Sequence, residues 1–173
     1  MPFELQPTLQ GTLVRLRPLR PEDFPALFAV ASDPLIWEQH PEPDRYTENV
    51  FKKFFQGAMD SGGAFLISDA SDDRVIGSSR YFGYDEKKSV IEIGWTFLAR
   101  SHWGGRYNRE MKDLMLRHAF RFVNTVVFLV GPDNIRSRRA VEKIGGVQTG
   151  SIVRGGKESL VYEIRKEAYG TMK

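Results

Sequence analysis

The stretch Ser101–Lys112, S-H-W-G-G-R-Y-N-R-E-M-K, sets two adjacent glycines and an arginine directly before an amphipathic helix. Glycine lets a backbone turn tightly and bring its N–H groups close to a ligand. A helix start adds unpaired N–H donors and a partial positive charge, so the segment reads as an anion-binding turn. The helix behind it places Met111, Leu114, Met115, His118, Ala119 and Phe122 on one face and is expected to run to about Asn124.

Working outward, S-V-I-E-I-G-W-T-F-L (Ser89–Leu98) before the turn reads as a strand. V-V-F-L-V (Val126–Val130) after the helix is the continuous apolar run of a buried strand. Upstream, T-L-V-R-L-R-P-L (Thr12–Leu19) alternates apolar and basic residues, the pattern of a half-buried strand. R-P-E-D-F then opens a helix to about Ser32, with Pro21 early and Glu22 and Asp23 at its positive end. A Pro-rich irregular segment leads to a second helix from Thr47, expected to stop at Gly62-Gly63. Ala64–Asp69 and Val75–Tyr84 read as strands joined by an S-D-D-R turn, and D-E-K-K turns into Ser89–Leu98. Downstream, N-I-R-S-R-R-A-V-E-K-I-G-G (Asn134–Gly146) is a helix with asparagine at one end and glycine at the other. V-Q-T-G-S-I-V-R and E-S-L-V-Y-E-I are strands that pair across G-G-K. This order predicts an α+β fold with one sheet and helices packed on it, in a single domain spanning residues 1–173.

Composition narrows the function classes. The 173 residues suffice for one sizeable core. A net charge of +3 suits an anionic ligand and falls short of the strong basicity of a nucleic-acid binder. The absence of cysteine excludes disulfides, thiolate metal sites and a cysteine nucleophile. His40, His102 and His118 lack metal-ligand spacing, so no metal is expected. The start MPFELQPTLQ has no signal-peptide pattern and no apolar run is long enough to span a membrane, so a cytoplasmic protein is expected.

Five segments in this order carry a resemblance: G-T-L-V-R-L-R-P-L-R-P-E-D, I-E-I-G-W-T-F-L, W-G-G-R-Y-N-R-E-M-K-D-L-M-L-R-H-A-F, N-I-R-S-R-R-A-V-E-K-I-G-G and G-S-I-V-R. The chain is similar to the GNAT acetyltransferase superfamily and, more narrowly, resembles its ribosomal-protein N-terminal acetyltransferases, the RimJ/RimL-type group. The resemblance implies a mixed, mostly antiparallel sheet splayed between Ser89–Leu98 and Val126–Val130, the fourth and fifth strands counted here. It implies acetyl-coenzyme A as cosubstrate, its pantetheine arm in that opening and paired with the backbone near Phe97 and Leu98. The pyrophosphate would lie on the following loop, among Arg100, Trp103, Gly104, Gly105, Arg106, Tyr107 and Asn108, with Asn134 and Ser137 also on the coenzyme. The implied reaction moves the acetyl group to a primary amine, a protein N-terminus or a small molecule, by direct attack in a ternary complex. Dimerisation is common in the family.

Two positions depart from the superfamily pattern. Its loop reads Q/R-x-x-G-x-G/A; aligned on Gly104, this chain has Ser101 first and Arg106 last, where a small residue is usual. Either the backbone path differs slightly, or Arg106 points outward and adds a phosphate contact. Many relatives place a tyrosine, as general acid toward the thiolate, where this chain has Val141; the Rim-type alternative is the serine at Ser137.

Acetyl transfer needs an acceptor for the amine proton and donors for the thioester oxygen and departing sulfur. Glu92 is the candidate base, acting through water; the alternative is a glutamate facing solvent or paired with a basic neighbour. Glu38 is a second candidate. Arg136, Arg138 and Arg139 either meet the coenzyme phosphates or form a solvated helix face. His118 reads as a satisfied core histidine, His102 as turn-lining, and Trp103 as an anchor packing the loop on the core. Trp37, Tyr46, Arg80, Tyr81 and Phe82 are candidates to line the acceptor site, with plain packing as the alternative. A reading from another class is a non-catalytic acyl-coenzyme A binding or sensing protein that keeps the fold.

Overall fold

The computed structural model describes residues 2–171. Among them, eight strands form one sheet: β1 (Leu9–Gln10), β2 (Val14–Pro18), β3 (Ala64–Asp69), β4 (Val75–Asp85), β5 (Val90–Leu98), β6 (Thr125–Val130), β7 (Val147–Arg154) and β8 (Lys157–Arg165). The order across the sheet is β1-β2-β3-β4-β5-β6-β8-β7. Every neighbouring pair is antiparallel except β5 and β6, which run parallel. Five α-helices accompany the sheet: α1 (Phe24–Ala31), α2 (Glu48–Ser61), α3 (Arg106–Ala119), α4 (Ile135–Lys143) and α5 (Lys166–Thr171).

Helices cover both faces of the sheet at β3, which is why that strand reads as a nearly continuous apolar run, whereas β7 at the edge is exposed throughout. Along β3 the side chains alternate. Phe65 and Ile67 join a core with Met111 and Met115 of α3, while Ala64 and Leu66 join a second core with Leu27 of α1 and Phe51, Phe54 and Phe55 of α2. The helix ends follow their capping residues. Gly62 takes the left-handed conformation that stops α2, and the Asn134 side chain accepts the Ser137 N–H to start α4.

The decisive feature is where β5 and β6 part. They pair only at Val90–Thr125, Ile91–Val126 and Glu92–Val127. Beyond Glu92 the sheet opens, as the resemblance implies. The opening falls between the fifth and sixth strands because the two-residue β1, too short to leave a periodic signal, precedes the first expected strand. β5 also carries a bulge: Gly94 faces Arg80 and Phe97 faces Ser78, and Trp95 between them has φ 53°, a conformation rare outside glycine.

Two ends differ from expectation. α3 stops at Ala119, short of Asn124. The N–H groups of Phe122 and Val123 both turn back to the Ala119 carbonyl, and the Asn124 N–H is taken by Ser89 at 3.0 Å, so tertiary contacts swing the chain into β6. The C-terminal α5 was not expected, since six residues are too few to show a helical period.

Candidate functional site

The opening between β5 and β6 is a cleft of about 760 Å³. One wall is β5 from Glu92 to Leu98, and the other is the end of β6 with the first turns of α4. The glycine turn and the first turns of α3 close one end.

At that end, Gly104 and Gly105 have φ of 113° and 101°, in the left-handed region where a side chain is strained. A Cβ on either would meet no atom within 4 Å, so what demands glycine is backbone conformation, with no contribution from crowding. Gly105 caps α3 without a side chain, and the Arg109 N–H is the first to close onto its carbonyl, at 2.9 Å. The N–H groups of Arg106, Tyr107 and Asn108 therefore lack intrahelical acceptors. Arg109, Arg136 and Arg139 line the same cleft. This is the arrangement of a polyanion site.

On the other flank, Glu92 is 9% exposed and faces the cleft. Arg154 of β7 holds its carboxylate by two hydrogen bonds, 2.8 Å to Oε1 and 3.3 Å to Oε2. The glutamate thus both faces the cleft and pairs with a basic neighbour. Ser137, on the first turn of α4, also lines the cleft. Val141 is buried in the core.

The cleft collects Trp37, Glu92, Phe97, Leu98, Trp103, Gly104, Gly105, Asn108, Asn134 and Ser137 of the expected residues. Others fall elsewhere. Arg100 does not line it; its guanidinium pairs with Asp33 at 2.5 Å. Arg106, the first residue of α3, is exposed and does not line the cleft. Tyr107 turns inward, its ring 4.6 Å from that of His102. Tyr81 is fully buried on the α3 side, where its hydroxyl donates to the Met115 carbonyl at 2.5 Å. Strand alternation puts it on the opposite face from Arg80, so it cannot line the acceptor region. Phe82 is 43% exposed and packs on Trp95, and Tyr46 is exposed outside the cleft, as is Glu38.

Trp103 differs from the packed anchor expected of it. Its ring is 36% exposed, lies 3.9 Å below the Arg136 guanidinium, and is tied down by its Nε1–H donating to the Leu98 carbonyl at 2.9 Å. That bond occupies a carbonyl on which the expected pantetheine pairing near Leu98 would draw. His118 is the core histidine expected, its Nε2 2.7 Å from the Glu4 carbonyl. His102 is buried between Ser101 and Asp69, with Nε2 2.9 Å from Asp69 Oδ2. Arg138 is turned to Tyr162 and the Pro132 carbonyl, away from the cleft.

Sequence reasoning missed three side chains here. Lys112 is 5% exposed, lines the cleft, and donates to Thr96 Oγ1 at 2.9 Å. Burial, with no described carboxylate paired to it, pulls its ammonium down to about 7. His40 also lines the cleft, and burial with the nearby Arg45 and Lys157 pushes it down to about 3, so it is neutral at physiological pH. Arg154 lies far along the chain from Glu92. The Asn108–Lys112 spacing of four residues, which places both on one helix face, was the available signal for Lys112. Nothing local marks the other two. Among the described residues no group of three or more acidic, histidine or cysteine side chains is placed to hold a metal, and no helix is long and apolar enough to cross a membrane.

A sheet opened between two parallel strands, with a glycine-capped helix lining the opening, has the shape and polarity that suit an elongated anionic ligand. A family model described as an acetyltransferase (GNAT) domain matches residues 14–147, and the chain belongs to that family. The uncharacterized protein YkkB of Bacillus subtilis (strain 168) is 38% identical over 80 residues, which are 45% of this chain and 46% of that one. The match therefore spans about half the length of that curated relative. A GCN5-related N-acetyltransferase from Brucella melitensis superposes with a TM-score of 0.86 at 22% identity, covering 99% of this chain and 84% of that one. Mycobacterium smegmatis RimJ, solved in complex with CoA-disulfide, gives 0.71 at 20% identity over 94% and 87% of the two chains. Vibrio cholerae spermidine N-acetyltransferase, solved with CoA and spermine, gives 0.69 at 16% identity over 92% and 99%. These structural likenesses show the fold.

Proposed function

We propose that the protein is an N-acetyltransferase that moves the acetyl group of acetyl-coenzyme A to a primary amine, in one catalytic domain of the RimJ/RimL type. The carrying observation is the cleft, with uncapped α3 N–H groups at one end and a cleft-facing carboxylate, Glu92, on its wall. The fit to the coenzyme is physical. An elongated ligand with a pyrophosphate matches a narrow opening that ends in a helix N-terminus flanked by Arg109, Arg136 and Arg139. The backbone from Trp103 to Asn108 would hold the pyrophosphate, and Phe97, Leu98 and Asn134 the arm. The CoA complexes of the RimJ and spermidine acetyltransferase structures support this choice of ligand.

The coenzyme supplies an activated thioester. The chain's own residues do the rest. Glu92 takes the proton of the attacking amine, directly or through water, while Arg154 fixes its orientation. The Ser137 hydroxyl donates to the sulfur as it departs, from a helix turn held by the Asn134 cap. Trp37, at the base of the irregular segment, borders the acceptor side. A homodimer is part of the same proposal, by analogy with the family.

Two observations favour a non-catalytic coenzyme-binding reading: the Arg154 pair engages both oxygens of Glu92, and no tyrosine stands at Val141. Calorimetric titration with acetyl-coenzyme A, coenzyme A and dephospho-coenzyme A, followed by an amine screen read as thiol release, separates the two. Micromolar binding with turnover is the expected result. Binding without turnover of any amine supports the sensing protein, and no binding by folded protein refutes both.

A further inference from the structure

A second, smaller pocket of about 250 Å³ adjoins the cleft on its α2 side, and Arg45 and Trp95 line both. Its interior wall is Arg80 of β4, with Phe54 of α2 beside it. Arg80 is 5% exposed. Its guanidinium lies 4.3 Å from the Trp95 ring centre and 5.6 Å from that of Phe54. Its one hydrogen bond is a long one, 3.5 Å from Nη2 to the Phe54 carbonyl. Its Nε has no partner, and among the described residues it is the sole buried side-chain nitrogen or oxygen in that condition. Arg45 approaches the same Phe54 ring from 4.9 Å.

Two guanidiniums thus flank one aromatic ring, and among the described residues neither forms an ion pair with a carboxylate. Of the neighbouring acids, Glu92 is held by Arg154, while Glu42 lines the same pocket, 3.8 Å from Lys157, and with Asp44 offsets the charge of Arg45, whose Nη1 also lies 3.2 Å from His40 Nε2; Arg80 has no such compensation within the pocket. Burial and the charge of Arg45 together hold Arg80 down to about 10. A buried, unpaired cation is costly, and the planar fork of arginine is matched by a carboxylate.

The pocket also lies where an acceptor must reach. Arg80 stands opposite Gly94 in the β4–β5 register, and a Cβ on Gly94 would lie 3.2 Å from Glu92 Oε2. The Trp95 ring lies 4.3 Å from the Arg80 guanidinium and 5.7 Å from that of Arg154, the partner of Glu92.

We propose that the acceptor is an amine carrying a carboxylate, which Arg80 and Arg45 receive in the small pocket while the amine lies toward Glu92. The proposal rests on the acetyl-transfer reading and names its substrate class: a free amino acid, or a peptide with a carboxylate near its amino end. A polyamine would add positive charge to a pocket already holding Arg45, Arg80 and Lys53 against a single carboxylate, Glu42.

The test is a matched panel: L-amino acids against their amides, short peptides with an acidic against a neutral second residue, and spermidine, each read as thiol release. Acids are expected to exceed their amides by about tenfold to a hundredfold in kcat/KM. Arg80→Gln should abolish that preference, Arg80→Lys should retain part of it, and both should keep the acetyl-coenzyme A affinity that reports a folded cleft. The amino-acid and peptide arms distinguish the two sources of the carboxylate. Equal rates for acids and amides, or a preference for spermidine, would overturn the proposal. If no amine turns over while acetyl-coenzyme A binds, N-acetyl amino acids and their amides are titrated in the presence of coenzyme A. Tighter binding of the acids, lost in Arg80→Gln, supports the proposal, and equal binding overturns it. A protein that fails to bind acetyl-coenzyme A refutes the underlying reading instead, and this proposal falls with it.

Discussion

Lys112→Met should make the protein more stable, and by an amount that depends on pH. Lys112 is buried, and its ammonium is held down to about 7 from 10.5. The cause is desolvation, which penalises the charged form. Below pH 7 the lysine is protonated in both folded and unfolded chains, and the native state bears the full penalty, on the order of 5 kcal/mol at about 1.4 kcal/mol per tenfold change in protonation. Between 7 and 10.5 the unfolded chain holds a proton that the native state lacks, so wild-type stability rises with pH through that window. Methionine has no such titration. The variant should exceed wild type by about 3 kcal/mol or more at pH 6, after subtracting about 1 kcal/mol for the lost hydrogen bond to Thr96. That advantage should shrink by about 2.5 kcal/mol on going to pH 9. Thr96 keeps its 2.8 Å contact with Ser79, so the substitution leaves no orphaned hydroxyl. Urea unfolding of both proteins at pH 6, 7.5 and 9 measures the difference, with equal m-values as the check on two-state comparison. A difference that stays constant across the three pH values would show that the Lys112 ammonium reaches solvent, and the reasoning from burial would be wrong.

Glu92→Gln should lower kcat by about a hundredfold in a working acetylation assay, with acetyl-coenzyme A affinity unchanged by calorimetry. Ser137→Ala should lower kcat by about tenfold, and an unchanged kcat in both variants would remove the roles given to these side chains. Gly77→Ala should lower the melting temperature by roughly 4–10 °C, for a loss of about 2–3 kcal/mol. Its Cβ would stand 2.0 Å from the Phe97 carbonyl oxygen, which forces β4 away from β5; a melting temperature within a degree of wild type would contradict that geometry.

The legible parts of the fold were those with a local cause. The alternation at Val14 and Leu16, the apolar run of β6, the Gly62 stop and the Asn134 cap each rest on neighbouring residues. So does the glycine turn, whose left-handed φ values are a property of residues 104 and 105 alone. The misread residues depend on something local pattern does not contain. Tyr81 and Phe82 sit beside Arg80 in sequence, yet only pairing with β5 assigns which of them faces α3 and which faces Trp95. Arg100 lies within the glycine-turn segment, but its pairing with Asp33 holds it outside the cleft lining.

Sequence alone carried the order of the elements from β2 to β8, the family and the turn that caps α3, because secondary structure and capping are settled by residues within a turn or two of one another. Tertiary structure supplied the partners: Arg154 on Glu92 across 62 residues, Thr96 under Lys112 across 16, and Arg80 facing Phe54 and Trp95. Charge and solvation act through space, so whether a lysine is buried, a glutamate is paired or an arginine lacks a partner is decided by which strands and helices meet.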